Sequence, residues 1–165
     1  MKRNGFQQWQ WHLDEVFVKI SGEAHYLWRA VDHEGEVLES YVTRRRDRKV
    51  ALKFLRKAMK RHGSPSVIVT DKLRSYGAAL RKLGLSARHE YGGRKNNRAE
   101  NSHQPFRRRE KIMQKFRRPA SLQKFSSIHA SVYNHFNQDR HRNKRQTFKE
   151  CRAAALTEWR TLFAA

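Results

Sequence analysis

Regular patterning begins at residues 11–20, Trp-His-Leu-Asp-Glu-Val-Phe-Val-Lys-Ile, a run rich in β-branched and aromatic residues that the turn formers Ser21 and Gly22 close. Such a run predicts a β-strand. Residues 25–31 and 37–42 repeat the pattern with the turn-like Asp32-His33-Glu34-Gly35 between them, so the three are expected to form an antiparallel meander. The period then changes. After a candidate cap at Asp47, the positions Val50, Leu52, Phe54, Leu55 and Met59 broadly follow a helical stripe, which Gly63 and Pro65 stop. Val67-Ile68-Val69 is short and uniformly apolar, as a strand covered on both faces should be, and Asp71 stands at its carboxyl end. A helix is expected from there to Gly84, then a short segment at 88–91 and a loop at Gly92-Gly93. Asn96-Asn97 leads into a largely helical stretch that Pro105 is expected to kink or interrupt. Leu122, Phe125, Ile128, Val132 and Phe136 recur at helical spacing, and Trp159 and Leu162 suggest a last helix docking on the core. No internal repeat is visible. The order of elements predicts an α/β domain with a mixed sheet rather than an alternating doubly wound one.

Composition narrows what such a domain binds. The 165 residues carry 37 Lys+Arg against 15 Asp+Glu, a net charge of +22, and the isoelectric point is near 11.1. That excess points to a polyanionic partner. Hydrophobic residues at 38% and aromatic ones at 11% exclude a disordered basic tail, and the length fits one globular domain. No apolar run approaches the roughly 20 residues that span a bilayer, and Met1-Lys2-Arg3-Asn4-Gly5 leads to no apolar signal core. A cytoplasmic protein with no membrane partner is expected, on the nucleoid when bound to DNA. The lone Cys151 excludes an intrachain disulfide and a cysteine-based metal site, and reads as a small core residue. The histidines lack metal-ligand spacing; His12 and His103 read as structural. Trp9, Trp11 and Trp28 read as core or rim packing.

The aspartates separate by position. Asp32 lies in a turn, Asp47 fits a helix N-cap among arginines, and Asp139 sits in a charged connection. Asp14 instead interrupts a strand on the face of Val16, Val18 and Ile20, where a bare carboxylate is costly unless a metal ion or an arginine compensates it. Asp71 reads either as a helix N-cap or as a ligand group outside a strand end. Glu100, at the third helical position if Asn97 is the cap, could close a capping box. Together the three acids fit a single chemistry: oxygen ligands from separate elements holding two Mg²⁺ ions roughly 3.5–4 Å apart over a phosphodiester.

At these residues the chain resembles the DDE transposases of bacterial insertion sequences, most closely the insertion-sequence family-six group. The likeness rests on Trp11-His12-Leu13-Asp14-Glu15, Tyr26-Leu27-Trp28-Arg29-Ala30-Val31-Asp32, Thr70-Asp71-Lys72 with Ser75-Tyr76-Gly77, and Asn96-Asn97-Arg98-Ala99-Glu100, and extends through Ser121-Leu122-Gln123-Lys124-Phe125. The resemblance implies a ribonuclease-H-like fold, an antiparallel three-strand meander plus parallel strands flanked by helices. It implies Asp14, Asp71 and Glu100 as catalytic and metal-binding residues, with Mg²⁺ as the ion and Mn²⁺ able to substitute. It also implies cleavage and strand transfer of double-stranded DNA, at transposon ends and in target DNA, by a homo-oligomer assembled on that DNA. Arg107, seven residues after Glu100, occupies the place where the family usually carries a basic residue that could hold a phosphate. Glu110 is a rival third acid, but it follows Arg107-Arg108-Arg109 and lacks the Asn-Asn lead-in. Relatives of this kind carry a helix-turn-helix segment ahead of the catalytic domain. Here residues 1–10 read as a short leader and 11–165 as the catalytic domain, so that segment is expected to be absent and the chain truncated.

Arg44-Arg45-Arg46, Arg107-Arg108-Arg109 and Lys72 are the candidate phosphate contacts, although a charge run is by default a solvated face. Two other functions fit the same sequence. One is a non-catalytic basic protein that coats DNA, which would need no Mg²⁺; the other is a ribonuclease-H-like nuclease acting on RNA–DNA hybrid.

Overall fold

The computed structural model describes residues 9–71, 74–92, 96–112, 116–137 and 144–164, without the side chains of residues 98, 100, 110–112 and 163. Strands β1 (Gln10–Ile20), β2 (Glu23–Asp32) and β3 (Val37–Thr43) form the expected meander, with β2 antiparallel to both neighbours. Ser21 and Gly22 make the first turn at φ 50° and 87°; Asp32 makes the second, accepting the backbone N–H groups of Glu34 and Glu36 at 2.9 Å each. Helix α1 (Arg48–His62) starts on Asp47, whose carboxylate accepts from Val50 N at 2.9 Å, and Gly63 ends it at φ 79°. Strand β4 (Val67–Thr70) then pairs parallel with β1, and β5 (His89–Tyr91) parallel with β4. Helix α2 (Arg74–Lys82) and a 3₁₀ turn at Ser86–Arg88 connect them. The sheet order β3-β2-β1-β4-β5 puts β1 at the centre.

Helix α3 (Asn97–Ile112) runs through Pro105 without interruption, so the expected break does not occur. Proline removes one helix hydrogen bond and crowds the carbonyl four residues earlier, a cost that packing offsets here through the fully buried Phe106 next in sequence. Helix α4 (Pro119–Phe136) lies along β3. Gln123 accepts from Val42 N and donates to Ser40 O, at 2.9 Å each, while Asn134 does the same for Val37 N and O at 2.8 Å. These amides satisfy the outer edge of the sheet, which would otherwise present unpaired backbone.

Two packed layers result. On one face Trp11, Leu13, Trp28 and Ala30, with Ile68 of β4, meet α1 and α2 through Phe54, Leu55, Tyr76 and Leu80, all inaccessible to solvent. On the other, Val16, Val18, Ile20 and Leu27 meet Phe106 of α3 and Leu122 of α4. Burial falls off along the α4 stripe: Leu122 is buried and Ile128 is 54% exposed. Helix α5 (Arg145–Ala164) docks on α4 through Trp159, which lies against His135 and Phe136, but Leu162 is 67% exposed and takes no part. Cys151, expected in the core, is only half-buried because α5 packs against the outer helix α4, away from the sheet. Trp11 and Trp28 are core, and Trp9 sits at the rim beside His33. Asp139 lies outside the described residues. Among the described residues, no helix is long and apolar enough to cross a membrane.

Candidate active site

Strand β4 pairs with β1 only as far as Leu13 opposite Thr70. Beyond that point β1 continues without a neighbour on that side, and the next residue of each chain segment is an acid: Asp14 on β1 and Asp71 after β4. The end of β4 leaves the two acids beside each other there. Thr70 precedes Asp71: its Oγ1 donates to the Asp71 carbonyl at 2.6 Å and lies 2.8 Å from His89 Nε2, which donates to it since the hydroxyl has only one hydrogen.

Carboxylate oxygens of Asp14, Glu15 and Asp71 all lie within 4.8 Å of one another. Asp14 projects, as expected, on the face of Val16, Val18 and Ile20. Glu15 belongs to the opposite face by strand alternation, yet reaches the cluster because the missing neighbour leaves the edge of β1 open between the faces. Sequence reasoning had not selected Glu15. Its side chain is 4% exposed, and it accepts from Arg46 Nη1 at 3.2 Å. Burial, then Asp71 and Asp14, push its carboxyl up to about 8, with Arg46 pulling the other way. The same acids and complete burial push the Tyr76 hydroxyl well above its ordinary value. Three acids in so small a space repel one another, which a divalent cation would relieve.

The α3 side of the cluster is polar. Asn96, fully buried, donates from Nδ2 to Leu13 O at 2.9 Å, and its own N–H reaches Gly92 O at 3.1 Å. His103 Nε2 stands 3.1 Å from Asp14 Oδ2, and Glu15 N donates to Asp14 Oδ1 at 2.9 Å. Arg29, directly across the ladder from Asp14, is 1% exposed and donates from Nη1 to Ser102 O at 2.9 Å. Burial pulls its guanidinium down to about 10, against the opposing influence of Tyr133 and Asp14. Burial also lowers the His103 imidazole, which the contact with Asp14 partly restores. Asp14 thus has a cationic neighbour in Arg29, which is bonded to Ser102 rather than paired with it, and carboxylate neighbours in Glu15 and Asp71. Glu100 stands in α3 between Asn96 and His103; its side chain lies outside the described residues, as does that of Glu110.

Among the basic candidates, Arg107, Arg108 and Arg109 are exposed on α3, with Arg107 one turn beyond His103. Arg44 pairs with Glu23, and Arg46 joins Glu15 and lies 5.5 Å over the Tyr26 ring, leaving Arg45 between two engaged neighbours. Lys72 lies outside the described residues.

The DDE domain family, of the IS240 transposase type, matches residues 8–139. A transposase for the insertion sequence-like element IS431mec of Staphylococcus aureus (strain N315) is 33% identical over 82 residues, 50% of this chain and 37% of the relative. The transposase of insertion sequence element IS257 in transposon Tn4003, also from S. aureus, matches to the same extent. The chain thus spans little more than a third of the length of these relatives. Protein pYV0051 of Yersinia pseudotuberculosis serotype I is 33% identical over 76 residues, 44% of this chain and 71% of that protein. Among solved structures, the HTLV-2 integrase catalytic core domain in complex with magnesium (dimeric form) superposes with a TM-score of 0.50 at 16% identity, covering 61% of this chain and 68% of that one. This likeness is one of fold, the ribonuclease-H-like mixed sheet flanked by helices.

Proposed function

The chain belongs to the DDE domain family of transposases, and on that premise we propose that it is the catalytic domain that cuts and joins DNA for an insertion sequence. The observation that carries the reading is the meeting of Asp14 and Asp71, from separate strands, at the open end of β4. Asp14, Asp71 and Glu100 would hold the metal, with Glu15 at its margin. The donor set fits: these are hard carboxylate oxygens, suited to Mg²⁺ or Mn²⁺ rather than to softer ions. A pair of such cations, when bound, would make water or a 3′-hydroxyl a better nucleophile and offset charge on the leaving oxygen.

The protein's own part is positioning. His103, Asn96 and the end of β4 would hold the acids in place for a phosphodiester. Hydrolysis breaks the bond between phosphorus and the 3′-oxygen and frees a 3′-hydroxyl. In strand transfer that hydroxyl attacks a phosphodiester of a second duplex, joining to its phosphorus and displacing that strand's own 3′-oxygen as a new 3′-hydroxyl. The exposed Arg107, Arg108 and Arg109, and the run Arg44–Arg46 with Lys72, would contact DNA backbone, and several copies would assemble on transposon ends and target DNA.

The test uses the purified chain, a supercoiled plasmid and a Mg²⁺ titration. Asp14→Asn and Asp71→Asn are each expected to reduce nicking to background while binding DNA as the wild type does, because a neutral amide cannot offset the metal's charge. Nicking that survives both substitutions refutes the site. Tight DNA binding without nicking at any Mg²⁺ concentration refutes catalysis by this chain and leaves a basic DNA-coating protein.

A further inference from the structure

Helix α3 and the residue before it meet β1 and β2 through polar groups at successive points rather than through apolar contacts alone. Asn96 is bonded to Leu13 O, His103 stands against Asp14, and the Ser102 carbonyl receives Arg29. Asn96, His103 and Arg29 are each at most 3% exposed. A buried polar side chain is costly without a partner, so docking a helix would by itself favour apolar residues, as at Phe106 one turn farther along. The placement of the polar set around Asp14 therefore calls for a reason beyond adhesion.

Oδ1 of Asp14 accepts from the N–H of Glu15 in its own strand, and Oδ2 lies 3.1 Å from His103 Nε2 of α3, an ion-pair distance whose angle falls short of a hydrogen bond. One contact alone would leave the carboxylate free to rotate about χ2; two on opposite oxygens fix its plane. Each oxygen retains lone-pair capacity for a further ligand. We propose that His103 is a positioning residue for metal binding: it fixes the Asp14 carboxylate and ties it to the register of α3, the helix that carries Glu100. An imidazole N–H at Nε2 performs this without ligating the metal, as outer partners of ligands do elsewhere. The inference rests on the metal-binding reading of Asp14 given above.

The test is Mn²⁺ binding to the full chain, followed by electron paramagnetic resonance in the absence of DNA. The wild type is compared with His103→Leu, His103→Gln and Asp14→Asn. His103→Leu is expected to weaken Mn²⁺ binding by about tenfold or more, the usual effect of removing an outer partner, and to raise the Mn²⁺ needed for half-maximal nicking in parallel. Gln places an amide N–H where Nε2 stood and should recover most of the loss. If Leu binds Mn²⁺ as the wild type does, or Gln is no better than Leu, His103 only packs α3 and the inference is overturned. Should Leu fail to fold, His103→Asn takes its place: it is polar but too short to reach Oδ2, and equal affinities for Asn and Gln overturn the inference as well. Asp14→Asn separates the two levels. Unchanged Mn²⁺ binding there means that Asp14 holds no metal, and the function reading falls along with this one; loss there but not in the His103 variants removes only the role of His103.

Discussion

The two faces of β1 are built from opposite kinds of interaction. Toward α1 and α2, Trp11, Leu13, Trp28, Phe54 and Leu80 fill an apolar layer whose stabilisation scales with area removed from water. Toward α3, the residues at the same level are Asp14, Arg29, Asn96, Ser102 and His103, placed by the directional hydrogen bonds of Arg29 and Asn96 and by the close approach of His103 to Asp14. Each such bond contributes modestly in net terms, yet leaving one partner alone is expensive, and its geometry is specific. The difference assigns stability to one face and the placing of charge to the other. The strand between them carries the acid.

The sharpest way to break this division is on the apolar side. Trp28 is inaccessible, packs edge-on against Tyr76 with ring centroids 5.4 Å apart, and donates from Nε1 to Thr43 Oγ1 at 2.8 Å. Trp28→Ala is expected to cost about 3–5 kcal/mol in urea unfolding. Asn96→Ala should cost less, about 1–3 kcal/mol from an unpartnered Leu13 carbonyl, but should reduce nicking more than its stability change explains, because the start of α3 is released. A cost equal to that of Trp28→Ala, with nicking intact, would mean that the polar face serves stability as well.

The smallest effect is one of pH. His129 of α4 lies against Phe106 and Phe125, and burial, reinforced by Arg29 and Arg109, pulls its imidazole down to about 4. An unfolded histidine titrates near pH 6.5. Between those values the unfolded chain holds a proton that the folded one does not, so this residue makes stability fall as pH drops from about 6.5 toward about 4. His129→Phe should flatten that part of a melting-temperature profile. An identical slope in the variant would show that His129 is protonated in the folded state too.

Local features were legible because local physics decides them. Alternation marked the meander, Asp47 and Gly63 marked the ends of α1, and the period of β1 put Asp14 on the face of Val16 and Val18. What stayed hidden depends on long-range pairing. Glu15 joins Asp14 and Asp71 only because β4 stops at Thr70, a matter of register between distant segments. Arg29 with Ser102, and Asn96 with Leu13, are 73 and 83 residues apart in sequence, and no periodicity reveals such pairs. In the arginine run, Arg44 and Arg46 meet Glu23 and Glu15 across strands, so a count of charge overstates what that run offers to DNA.

The central claim is that a divalent cation belongs between Asp14 and Asp71, and a Mn²⁺-soaked crystal measured at the manganese edge tests it most directly. Anomalous density is expected between these two carboxylates, with the Glu100 carboxylate turned toward it from α3. Density held elsewhere, or none at manganese concentrations that support nicking, would contradict a metal site there.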